Sequence, residues 1–91
     1  MLVALIAKDK PGALPIRQEN RPAHVEYLKS GGSVQQAGPL LDDAGEMCGS
    51  LIILDVPDLA AAQTWVDGDP YGKAGLFDSV ELIPWNRVIG G

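Results

Sequence analysis

Two short aliphatic runs, LVALIA at positions 2–7 and LIIL at positions 51–54, lack the polar alternation of a strand with one face in water. A strand that is apolar on both faces belongs in the middle of a sheet, where both faces are covered. A chain of 91 residues that contains two such strands has little material left to cover them. The first strand is read as Leu2–Asp9 and the third as Met47–Val56. Two further extended segments, Ser33–Leu41 and Ser79–Trp85, carry Pro39 and Pro84. Proline has no N–H for the ladder, so both segments are assigned to sheet edges, with a bulge as the alternative at Pro39.

Helical spacing fills the gaps between the strands. From Pro15 to Ser30 the apolar residues Ile16, Ala23, Tyr27 and Leu28 recur on one side, and Gly31-Gly32 supplies a stop. Pro57-Asp58 opens a second helix with Asp58 as its N-cap and Leu59, Ala62, Trp65 and Val66 as its stripe. Asp69 can cap a further short turn that has Pro70 at its first position. The order is βαββαβ, graded central, edge, central, edge. This is an α+β, ferredoxin-like pattern: a four-stranded antiparallel sheet with two helices on one face. Residues 1–91 are read as one domain. Two helices cover one face, so a second copy packed sheet to sheet is expected on the other, giving a homodimer.

Charge and composition exclude several functions. Seven basic residues stand against twelve acidic ones, a net charge of −5, with no Lys/Arg cluster. That argues against nucleic acid and against anionic membrane surfaces, both of which bind through clustered positive charge. No apolar run approaches the roughly 20 residues of a membrane span. The N-terminal stretch lacks the basic region and cleavage site of a signal peptide, so a cytoplasmic location is expected. The single cysteine, Cys48, has no internal partner for a disulfide and reads as a structural strand residue.

Candidate chemistry begins at RPAH, Arg21 to His24, which holds the only histidine. An imidazole titrating at about 6.5 gives and takes protons near neutrality. Spacing of i, i+4 with Asn20 and Leu28 puts His24 at the margin of the buried stripe. Pro22 either leaves the carbonyl of Gln18 without a donor or places His24 in a first turn. The structural alternative is a boundary histidine bonded to a backbone carbonyl. Asp69 is a carboxylate that can orient an imidazole, or simply a cap. Ser50, beside Gly49 on a central strand, reads as a ligand-orienting donor, because CGSLI is not a nucleophile elbow. Tyr71 is placed at the same opening as His24. Gly38-Pro39 does not lead into a helix and so is not a phosphate cradle. One histidine with scattered carboxylates has no metal-ligand spacing.

Five segments in order, Arg21-Pro22-Ala23-His24, Ala37-Gly38-Pro39, Gly49-Ser50, Ala61-Ala62-Gln63-Thr64-Trp65 and Asp69-Pro70-Tyr71, resemble the YCII-related proteins over essentially the whole chain. The resemblance implies a dimeric α+β barrel. It also implies a site built on a His and an Asp, carried here by His24 and Asp69 as catalytic residues, with Asp42 or Asp43 as competing carboxylates. Ser50, Tyr71, Arg21 and Gly38 join them as substrate-binding residues. Relatives include a dechlorinating enzyme that acts on chlorinated hydroxyhydroquinones. The implied function is therefore acid–base proton transfer or elimination, of lyase, dehydrochlorinase or isomerase type, on a small cyclic or phenolic compound without cofactor or metal. The alternative is a non-catalytic small-molecule-binding or assembly module on the same dimeric fold.

Overall fold

In the computed structural model, which describes residues 1–90, the two aliphatic runs lie side by side as β1 (Leu2–Asp9) and β3 (Met47–Asp55). They form the centre of a four-stranded antiparallel sheet of order β2-β3-β1-β4, with β2 (Val34–Leu41) and β4 (Phe77–Trp85) outside. Both prolines thus sit on edge strands, Pro39 opposite Ser50 and Pro84 opposite Val3, where a missing N–H can be accommodated. The irregularities of β2 fall between Val34 and Gln36 and between Leu40 and Leu41, so Pro39 marks an edge and not a bulge.

Register sorts the sheet residues onto two faces. Leu5 pairs with Ile52 on one side and Leu82 on the other, and alternate residues follow them. On that face Val3, Leu5, Ala7, Ile52 and Leu54 pack with Ala62 and Val66 of α2 (Leu59–Gly68). Each fully buried large aliphatic side chain contributes roughly 1.5–3 kcal/mol. The other face carries Ile6, Leu51, Ile53, Ile83 and Trp85, set by the pairs Ile6 with Leu51 and Ile83 with Ala4. No helix among the described residues covers it, and Leu51, Ile83 and Trp85 keep 42%, 44% and 39% of their surface exposed. Among the described residues no helix is long and apolar enough to cross a membrane.

The first helix, α1 (Leu14–Lys29), follows the apolar-stripe reading only in part: Ile16 and Leu28 pack against the core and Tyr27 is half-buried. Its buried residues are Arg17 and His24, and Ala23 is exposed. These two lie two turns apart on one line of the helix, so α1 meets the sheet through a polar layer there. His24 is therefore central to the buried side and not at its margin. Pro22 lies inside the helix on the exposed side, which leaves the unpaired carbonyl of Gln18 to water.

The end of α2 is tied to α1. Asp58 caps the start of α2 by accepting from the Ala61 N–H at 2.8 Å. At the other end the Tyr27 hydroxyl donates to the Trp65 carbonyl at 2.7 Å, and the two rings pack at 4.9 Å. A side chain at Gly68 would collide with the Tyr27 hydroxyl, so glycine there permits the approach. This link fixes the turn that holds His24 against the residue that follows α2, Asp69.

Candidate active site

Asp69 serves two partners at once. It is the N-cap of the short helix α3 (Pro70–Lys73), where its Oδ1 accepts from the Tyr71 N–H at 3.1 Å. The same oxygen lies 2.7 Å from His24 Nδ1. A backbone N–H can only donate, which fixes Oδ1 as an acceptor and makes Nδ1 of the neutral imidazole the protonated nitrogen. The lone pair then sits on Nε2, which has no protein partner among the described residues. The Tyr71 ring stacks on the imidazole with centroids 3.8 Å apart and planes 14° from parallel. His24, Asp69 and Tyr71 are all buried.

A second polar group lies beside the first. Arg17 donates through Nε and Nη2 to the two oxygens of Asp9, at 2.7 and 2.9 Å, and through Nη2 to Ser50 Oγ at 2.9 Å. Its guanidinium lies 4.6 Å from the centre of the Tyr71 ring. Burial works against the charge of Arg17, but the hydrogen bond and charge of Asp9, helped by Tyr71, outweigh it and raise its pKa above the ordinary value. Asp9 closes β1, and Ser50 sits on β3 opposite Ala7.

Between α1, β2, β3 and α3, the Arg17, His24, Ser50 and Tyr71 side chains line a cleft of about 160 Å³, with Asp9 and Asp69 bonded behind them. Val25, Leu28, Met47 and Ile52 supply its apolar wall, Gly38 and Pro39 its β2 side, and the exposed Arg21 part of its rim. All six residues singled out from the sequence, His24, Asp69, Ser50, Tyr71, Arg21 and Gly38, are thus at or directly behind one opening. Asp42 is elsewhere: it is exposed in the β2–β3 hairpin, where its Oδ1 accepts from the N–H groups of Ala44 and Glu46. Asp43 is exposed in the same hairpin. The carboxylate beside His24 is Asp69. Cys48 is half-buried in β3 and does not line the cleft. No group of three or more potential metal ligands occurs among the described residues.

Arg17 and Asp9 are the residues that sequence reasoning missed. One signal was available: Arg17 precedes His24 by two helical turns and so shares its side of α1.

Burial, the first cause, pushes the Tyr71 phenol above its ordinary value of 10.0, Asp69 adds to the rise, and Arg17 and Arg21 oppose it. The folded protein then keeps a proton that the unfolded chain releases. This stabilisation is complete below pH 10.0 and is lost as pH rises from there through the raised pKa of the folded state. Tyr71→Phe is expected to flatten that alkaline decline in urea midpoints. Part of the decline remains in the variant, because burial raises Tyr27 as well.

The sheet order and the placement of the helices define the dimeric α+β barrel fold class. Within it, residues 1–86 match the YCII-related domain, and the chain belongs to that family. Protein YciI of Escherichia coli is 36% identical over 97% of this chain and 99% of its own length. An uncharacterized protein of Haemophilus influenzae is 30% identical over the same shares. Among solved structures, 5-chloro-2-hydroxyhydroquinone dehydrochlorinase from Burkholderia phenoliruptrix AC1100, in complex with 2,5-dihydroxybenzoquinone, superposes with a TM-score of 0.86. It is 34% identical, and the match covers 94% of each chain.

Proposed function

We propose that this chain is an acid–base enzyme of lyase, dehydrochlorinase or isomerase type that acts on a small cyclic or phenolic compound. The observation that carries the reading is the 2.7 Å bond from His24 to Asp69, which leaves Nε2 as a base toward the cleft. In an elimination, Nε2 takes a proton from the substrate, the electron pair of the broken bond moves into the ring, and the leaving group departs with its bonding pair. Asp69 stabilises the imidazolium so formed. The sum is loss of an acid, with no net oxidation and no need for a cofactor. Cleft size supports a single ring, since a cavity of about 150 Å³ admits benzene. The chemistry of the dehydrochlorinase relative supports the reaction type.

The test is turnover of 5-chloro-2-hydroxyhydroquinone and a panel of hydroxylated aromatics and lactones, followed by chloride release and product absorbance. His24→Ala is expected to lower turnover by about 10²- to 10⁴-fold. Undiminished turnover would remove His24 from the mechanism.

The working unit is proposed to be a homodimer joined through the helix-free sheet face. Exposed Leu51, Ile83 and Trp85 on a single face support this, because such an apolar patch is stabilised by a partner. Light scattering at micromolar protein is expected to give twice the chain mass, and Ile83→Glu half of that with an unchanged circular dichroism spectrum. A monomer mass at all concentrations would refute the dimer.

A further inference from the structure

Taking the cleft as the substrate site proposed above, we infer that it selects the ionised form of its ligand. That ligand is a single-ring phenolate or enolate, its oxyanion held by Arg17, Arg21 and Ser50 and its acidic proton turned toward His24. The chain as a whole carries a net charge of −5, yet among the described residues the cleft is lined by two arginines and by no carboxylate. The two nearest acids stand behind it and are engaged. Asp9 has both oxygens on Arg17, and Asp69 has Oδ1 on His24 and on the Tyr71 N–H.

The unpaired polar atoms are nearly all donors. Arg17 uses Nε and Nη2 for Asp9 and Ser50, which leaves the two N–H groups of Nη1. Arg17 lines the cleft beside Tyr71, so Nη1 is the part of its guanidinium left to meet a ligand there. Ser50 accepts from Arg17, and its hydroxyl proton is free to donate to a ligand. Arg21, at the rim, has no ion-pair partner among the described residues. The raised pKa of Tyr71 keeps its phenol protonated and able to donate. β2 adds only Ala37, Gly38 and Pro39, which bring no charge. Against these donors stand Nε2 of His24 and the remaining lone pairs of the Ser50 and Tyr71 hydroxyls, none of them carrying a negative charge.

A neutral phenol would bring another O–H to a wall of donors. An ionised oxygen accepts from several of them, and each charge-assisted bond is roughly twice as strong as a neutral one. The charge of Arg17 is largely balanced by Asp9, so Arg21 supplies the net attraction and Arg17 the direction.

The experiment uses 4-nitrophenol and its neutral methyl ether, 4-nitroanisole. With the full chain in excess, the yellow phenolate band is expected to persist to a pH about one unit lower than in free dye, a tenfold preference for the anion. Arg21→Gln is expected to weaken nitrophenolate about tenfold, the loss of one charge-assisted bond, and to leave nitroanisole unchanged. Ser50→Ala weakens it less, and His24→Ala keeps the preference, which separates anion selection from proton transfer. Arg17 is left in place because its removal strands a buried Asp9. An unshifted band, equal affinity for the ether, or no binding of nitrophenolate at millimolar dye overturns the inference. Turnover of a chlorinated hydroxyhydroquinone by a protein without this preference would refute anion selection and leave the acid–base reading standing. A preference without turnover on any substrate would do the reverse.

Discussion

Asp69→Asn is expected to slow turnover about 10²-fold and Asp69→Ala at least tenfold further, both within the range of general acid–base effects. The two substitutions remove different things. Asparagine is as good an N-cap as aspartate, so α3 keeps its start. The Tyr71 N–H continues to require an acceptor at Oδ1, and this holds the amide oxygen, not the amide nitrogen, toward His24. The imidazole therefore keeps its proton on Nδ1 and its base at Nε2. What is lost is the negative charge that stabilises the imidazolium. Alanine removes the cap and the orienting oxygen together; the imidazole is free to place its proton on either nitrogen, and the Tyr71 stack loses its anchor. Single-turnover rates at saturating substrate measure both effects, and urea unfolding checks that the asparagine variant stays within about 1 kcal/mol of the parent. Equal rates for all three proteins would reduce Asp69 to a helix cap.

The topology was legible because a strand that is apolar on both faces lacks polar alternation. LVALIA and LIIL could only be central, and Pro39 and Pro84 could only sit where a ladder donor is dispensable. On α1 the same logic holds only in part: apolar spacing places Ile16, Tyr27 and Leu28 inward as observed, but it also places Ala23 inside and His24 at the edge, whereas the fully buried residues are Arg17 and His24. An arginine in the middle of a helix is usually solvent-exposed, so the only local pointer to the burial of Arg17 was its place two turns before His24. Its partners come from elsewhere in the chain: Asp9 from the end of β1 and Ser50 from β3, 33 residues away. The carboxylate was ambiguous for a related reason. Asp42, Asp43 and Asp69 all stand in turn-forming sequence, and contacts distant in sequence, such as the Tyr27–Trp65 link 38 residues apart, bring the end of α2 and so Asp69 to α1. Cap spacing could name Asp69 as a cap, but not what its oxygen faces.

Asp9→Ala is expected to destabilise the fold by about 3–5 kcal/mol, the cost of leaving one partner of a buried pair uncompensated. Arg17 and Asp9 are 2% and 5% exposed, so solvent does little to screen the orphaned guanidinium. Against a total of about 5–15 kcal/mol for a domain, that is a large fraction, and urea midpoints should fall accordingly. The informative comparison is the double variant Arg17→Met/Asp9→Leu. Replacing both members of a buried pair by apolar groups of similar size is often neutral or stabilising, because desolvation of the ions disappears with them. If the double variant recovers parental stability while nitrophenolate affinity and turnover stay lost, the pair is retained for the cleft. There it aims a guanidinium at the ligand, polarises Ser50 and supports the ring of Tyr71, at no benefit to the fold. If the double variant is as unstable as Asp9→Ala, the pair is structural, and its three hydrogen bonds hold α1 to β1 and β3.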